Sequence, residues 1–326
     1  MRSLVTTLAL LAACESDYEL LVEDLPLPPP PPELQEDVFV QLASTQSDVL
    51  FVVDNSGSMA SHQQRLADNA PRLFQHVVDS GVDYHVGVVT TDVDDPVEAG
   101  RLQVRQGSFW IQPRTPDQAA RFGQMVALGV EGSIHESGRA ATFAALQPRD
   151  DGFNAGFLRD DASLHVIVVS DEDDASGTRP ISRSAFVDYL RGRKRDPHVT
   201  TFSSIVGPRR EAGSCALSPG EEYLQVTRQV GGAKLSICED DWAPLMDELG
   251  ELVTGLRRSV VLSRRPVPDT IVVQMEQGAG VQTFPAPSDA WAYEEAATRV
   301  VFLGEEPPPS GSIIRVHYEV AVTPPG

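Results

Sequence analysis

Cysteine, positive charge and long apolar runs are all scarce in this chain of 326 residues. Lys and Arg total 26 against 47 Asp and Glu, which leaves a formal charge of −21. A surface of that sign repels phosphate backbones and anionic headgroups, so an electrostatic grip on nucleic acid is excluded. The same surplus of acid favours cations. After the N-terminus no run of about 18 apolar residues occurs, so nothing later in the chain reads as a membrane span. Several catalytic signatures are also missing. There is no Gly-x-Ser-x-Gly elbow, no His-Glu-x-x-His and no phosphate-cradling Gly-Lys-Ser/Thr loop. Cys215 and Cys238 do not form Cys-x-x-Cys, which removes the usual redox motif. These absences argue against an enzyme. A metal-assisted hydrolase is the enzymatic rival, and a structural envelope protein the rival without a ligand.

What is present begins with an address. Arg2 precedes an apolar stretch over residues 4–13 that ends Leu11-Ala12-Ala13-Cys14. The stretch is too short to span as a helix and fits a secretory signal. Small residues before a cysteine resemble a bacterial lipobox, with Cys14 carrying the lipid. The alternative is ordinary cleavage after Ala13. Either places the mature chain in the cell envelope, periplasmic or surface-facing, and the first adds a membrane anchor. Residues 15–45 then read as a tether, because proline at nearly every position from Pro26 to Pro32 enforces extended geometry. Cys215 and Cys238 are an even pair in an oxidising compartment, and a disulfide between them is expected to stabilise by about 3 kcal/mol.

From Asp48 the chain alternates in period. Residues 49–53, 85–90, 164–169 and 199–206 are apolar or β-branched runs suited to strands buried on both faces. Between them lie helical spacings, such as Leu66, Ala70, Leu73, Phe74 and Val77. Strands separated by helices predict a doubly wound, mostly parallel α/β sheet over residues 46–257. Short β runs over residues 262–326, separated by Gly- and Pro-rich turns, predict a small β-sandwich-like unit.

In such sheets ligands sit beyond the carboxyl ends of the strands. The first strand ends in Asp54-Asn55-Ser56-Gly57-Ser58, and a later one ends in Ser170-Asp171. Two hydroxyls and two carboxylates are the oxygen donors a hard cation prefers. A helix cap is the rival explanation, since Asp and Ser also satisfy free backbone N–H groups. The acidic run from Glu172 to Asp174 reads as a solvated loop, and Asp92, Asp94 and Asp95 as groups that tune the local potential.

Asp-x-Ser-x-Ser on a first strand, with Asp171 after a later one, resembles the von Willebrand factor A domain and its metal-ion-dependent adhesion site. The wider chain is similar to secreted bacterial A-domain lipoproteins through Gly156-Phe157-Leu158-Arg159, Val169-Ser170-Asp171-Glu172 and Ser236-Ile237-Cys238. The resemblance implies Mg2+, or Mn2+ or Ca2+, coordinated by Ser56, Ser58 and Asp171, with Asp54 acting through water or a hydrogen bond. It also implies a protein partner that offers an Asp or Glu carboxylate. The family's threonine ligand has no counterpart in the loop over residues 129–138. Ser133 would supply a hydroxyl there, or Glu136 a carboxylate that weakens the pull on an acidic partner.

Overall fold

A computed structural model of the chain describes residues 32–41, 45–148, 151–208, 215–255, 259–295, 298–304, 308–309 and 311–321. Cys14 and most of the proline-rich stretch lie outside these. Among the described residues no helix is long and apolar enough to cross a membrane.

In chain order the elements are β1 (Leu34–Val40), β2 (Gln46–Val53), α1 (Ala60–Ser80), β3 (Asp83–Thr90), α2 (Gln118–Val126), α3 (Gly138–Leu146), β4 (Ser163–Ser170), α4 (Arg183–Arg191) and β5 (Thr200–Val206). Then come α5 (Glu221–Val230), β6 (Lys234–Ser236), α6 (Ala243–Thr254), β7 (Ser259–Val261), β8 (Val272–Gln277), β9 (Gly280–Pro285), β10 (Trp291–Glu294), β11 (Arg299–Phe302) and β12 (Ile313–Glu319).

Five strands form a parallel sheet in the order β3-β2-β4-β5-β6. The continuous apolar run in β2 follows from its central place, with a neighbour on each edge and helices on each face. Val49, Phe51 and Val53 pack against Leu66, Phe74, Phe122, Met246 and Leu249 of α1, α2 and α6. Leu50 and Val52 point the other way, into a second core with Ala141, Phe186, Leu190 and Tyr223 of α3, α4 and α5. This is the expected doubly wound architecture. The strand order reverses beside β2, where β3 leaves to one side and β4 to the other, so the crevice between the ends of β2 and β4 is the switch point.

The remaining strands form two antiparallel sheets, β1-β12-β8-β9 and β10-β11-β7. They enclose a third core built on Ile271, Val273, Trp291, Val300, Ile314 and Val316. Here the tether expected over residues 15–45 needs correction. Its last part is β1, paired with β12 from Leu34↔Glu319 to Val40↔Ile313. The physical cause is the run Val38-Phe39-Val40, which follows the last proline of the stretch and suits a pleated, half-buried surface. The β unit also begins earlier than residue 262, with β7. It is therefore assembled from both flanks of the α/β domain.

Asp37 ties the two flanks together. Its buried carboxylate accepts from the Ser263 N–H at 2.7 Å, the Ser263 hydroxyl at 2.6 Å and the Tyr318 hydroxyl at 2.7 Å. Burial, aided by the Asp37 charge, raises the Tyr318 phenol and keeps it a donor. Asp37→Ala strands the buried Tyr318 hydroxyl and two half-buried donors of Ser263, and a stability loss of about 2–4 kcal/mol is expected in urea unfolding. A loss below about 0.5 kcal/mol would show that β1 is not fastened through this carboxylate.

Candidate metal centre

Asp54 follows the last residue of β2, and its N–H bonds the Val169 carbonyl of β4 at 3.0 Å. The ladder thus carries the carboxylate past the end of the sheet into the switch-point crevice. The side chain is fully buried. One oxygen accepts the Ser56 N–H at 2.7 Å and the other the Ser170 hydroxyl at 2.6 Å. Ser56 Oγ lies 3.3 Å from Ser58 Oγ, which donates to Asp171 Oδ1 at 3.0 Å. Asp54, Ser56, Ser58 and Asp171, distant in sequence, therefore share one hydrogen-bonded cluster.

Helix capping does not account for the two serines. The residue at the N-cap of α1 is Met59, and no side chain caps that end. Both hydroxyls face the cluster instead. Nothing requires glycine at position 57, where φ is not positive and a Cβ would meet nothing. The close approach falls at Gly132, where a Cβ would lie 2.4 Å from the Asn55 side chain. The Gly132 N–H bonds the Asn55 carbonyl at 3.0 Å, drawing the loop over residues 129–138 onto the cluster.

That loop places its two proposed ligands differently. Ser133 turns away: its hydroxyl donates to Asp94 Oδ2 at 2.7 Å, and its N–H to Asp92 Oδ2 at 2.9 Å. Glu136 turns in. It is buried, accepts a short hydrogen bond from the Thr91 hydroxyl, and reaches Asp54. Burial, with the adjacent Asp54 charge second, pushes its carboxyl up to about 9. Burial likewise raises Asp171, and Asp54 adds to that effect. Of the two, Glu136 and not Ser133 faces the Asp54 cluster.

Other acids are more structured than the sequence suggested. Asp174, expected in a solvated loop, is buried and pairs with the buried Arg139, accepting from Nε at 2.7 Å and from its N–H at 3.0 Å. Asp173 accepts the Glu222 N–H in the first turn of α5 at 2.8 Å. Asp92 accepts the N–H groups of Asp94 and Asp95, so it folds its own loop as well as holding Ser133. His85 Nδ1 lies 2.9 Å from the Phe157 carbonyl. The disulfide between Cys215 and Cys238 is present. It holds a loop whose Leu217 and Ser218 N–H groups both bond the Asp171 carbonyl, at 2.8 and 3.1 Å.

Sequence reasoning missed Thr91, Ser170 and Gln63. The Gln63 amide bonds the carbonyls of Asp54 and Gly129, both at 2.9 Å, and so joins α1 to two loops. Ser170 was open to discovery, because it ends β4 immediately before Asp171. Gln63 and Thr91 carry no local signal.

The cluster passes a chemical test for a small hard cation. Its donors are all oxygen. Glu136 Oε1 and Asn55 Oδ1 are buried and have no hydrogen-bond partner. Among the described residues Asp54 has no ion pair, whereas Asp48 at the other end of β2 has Arg159 at 2.8 Å and Lys194 at 3.6 Å. Among the described residues no three His, Cys, Asp or Glu side chains converge on a metal position by themselves. The two hydroxyls are therefore integral to any such site.

No family model and no curated protein matches the chain. Among solved structures it is similar to a von Willebrand factor type A protein from Catenulispora acidiphila, at 14% identity and TM-score 0.41, over 90% of this chain and 66% of that one. It is also similar to the pilus adhesin SpaC from Lactobacillus rhamnosus GG, at 11% identity and TM-score 0.38, over 90% of this chain and 41% of that one. A third likeness is proximal thread matrix protein 1 from the mussel byssus, at 14% identity and TM-score 0.36, over 67% and 48%. The chain thus spans about two thirds of the first structure and under half of the others. At this distance the likenesses assign no activity, and the fold stands on its own topology.

Gly132→Ala tests the approach of the loop to Asn55. The added methyl is expected to cost about 1–3 kcal/mol in thermal or urea unfolding. A change below about 0.5 kcal/mol would mean that Asn55 swings aside and the contact does not set the loop.

Proposed function

We propose that this chain is a cell-envelope binding protein whose α/β domain engages a protein partner through a divalent cation. Mg2+ is the first choice, with Mn2+ or Ca2+ in its place. The observation that carries this reading is the union of Asp54, Ser56, Ser58 and Asp171 at the switch point, with hydroxyls that cap no helix. Ser56, Ser58 and Asp171 would hold the ion, and Asp54 and Glu136 would stand behind it. A bound ion would supply a Lewis-acid position open to a partner's Asp or Glu carboxylate. The remaining residues orient and steady that position. Ser170 and the Ser56 N–H fix the Asp54 carboxylate, Gln63 fixes the loops on either side, and the disulfide-held loop fixes Asp171. Attachment to a membrane through a lipid on Cys14, periplasmic or surface-facing, belongs to the same proposal.

Glu136 sets the character of the site. A third carboxylate strengthens the hold on a dication and weakens the ion's pull on an acidic partner. The test is thermal unfolding and calorimetric titration with Mn2+ or Mg2+ against EDTA, for the parent, Ser58→Ala and Glu136→Thr. Ser58 is exposed, so its replacement leaves the fold intact. Parent stability is expected to rise by roughly 3 kcal/mol at a hundredfold excess of cation over Kd. Both variants are expected to bind the cation at least tenfold more weakly. A parent whose unfolding ignores both cations would refute the metal reading.

A further inference from the structure

At the amino ends of β5 and β6, opposite the end of the sheet that carries the candidate metal centre, lies a cavity of about 450 Å³. Its walls come from α4, α5 and α6, from these two strands, and from β1 and β7. Three cations line it: the exposed Arg191 and Arg228, and the half-buried Lys234 that begins β6. Among the described residues no carboxylate pairs with any of them. Arg191 donates to the Gln229 carbonyl, and the Lys234 ammonium reaches only the Leu262 carbonyl, at 3.4 Å. Acids outnumber bases 47 to 26 in this chain, so bases left without an acid run against its composition. Arg299, by contrast, takes Glu248 of the same lining at 2.8 Å.

The acids of the lining are already answered. Asp37 accepts from Ser263 and Tyr318, Glu248 pairs with Arg299, and Glu251 has a partner as well. Donors are left over. Thr200, in the same lining, has a buried hydroxyl with no hydrogen-bond partner among the described residues. Burial, with the Arg228 charge second, lowers the Lys234 ammonium to about 8, and Asp37 offsets only part of that. Such a shift is what a cation without an anion undergoes. Phe39, Val40, Val230 and Val261 supply a half-buried apolar wall. An apolar wall with a few polar groups suits a small organic ligand. The surplus of donors calls for an acceptor with negative charge. Asp37, Glu248 and Glu251 repel a doubly charged phosphate, which makes a single carboxylate the better match.

We propose that this cavity binds a small organic acid, with its carboxylate on Lys234 and its apolar body against Val40 and Val261. The proposal is independent of the metal reading. The experiment is ligand-observed NMR on the intact chain with hexanoate and phenylacetate, their amides, hexylamine and inorganic phosphate. EDTA is present throughout, so that no cation recruits the acids elsewhere. The acids are expected to bind, and the amides, the amine and phosphate at least tenfold more weakly. Lys234→Met is expected to weaken the acids about tenfold, and Arg228→Gln to weaken them less. In urea unfolding Lys234→Met is expected to match or exceed the parent, because it removes a cation that has no partner. Arg228 is exposed, so its replacement leaves the fold intact and repeats the test. Acids that bind no better than their amides, phosphate that binds as well as the acids, or acid binding unchanged in both variants would each overturn the proposal.

Discussion

A charged carboxylate in a protein interior is tolerated only when something answers its charge, and the two ends of β2 answer it in opposite ways. At the amino end, Asp48 meets Arg159 and Lys194, and the pair of cations closes the account of that site within the chain itself. At the carboxyl end, Asp54 receives the Ser56 N–H and the Ser170 hydroxyl, both neutral. Glu136 and Asp171 then crowd the same crevice, and burial with the Asp54 charge raises both. The nearby buried cation, Arg139, is engaged by Asp174. Three carboxyl groups are thereby gathered where two parallel strands stop and two serine hydroxyls face them. The loops over residues 129–138 and around Cys215, and the start of α1, are all fastened to this point.

The same concentration separates two properties that are easily confused. Holding a dication improves with every carboxylate added, while the attraction of that dication for a partner's acid declines. With Glu136 facing Asp54 where a hydroxyl was a rival, the proposed site would favour the first property.

Much of the α/β domain was legible because its signals are local. A buried parallel strand announces itself as an unbroken apolar run, and an Asp-x-Ser-x-Ser that follows such a run must stand at the rim of the sheet. Asp171 was legible for the same reason. The choice between Ser133 and Glu136 was not, because it depends on Asp92 and Asp94, which reach across from the loop after β3 and take the serine away. Asp174 and Arg139 lie far apart in the chain, and their pairing exists only once α3 packs beside the loop after β4. β1 was hidden by the prolines before it, since the composition of residues 15–45 as a whole outweighed the short β-branched run that pairs with β12. In each miss a contact distant in sequence decided the outcome.

The central claim is that the Asp54 cluster is a cation site completed by Glu136 and not by Ser133. The most direct measurement is anomalous diffraction from crystals of the protein grown with Mn2+. The expected result is one strong peak between the hydroxyls of Ser56 and Ser58 and the carboxylate of Asp171, on the side of Asp54 that faces Glu136. A crystal that shows no peak there, or a peak among Asp92, Asp94 and Ser133 instead, would contradict it.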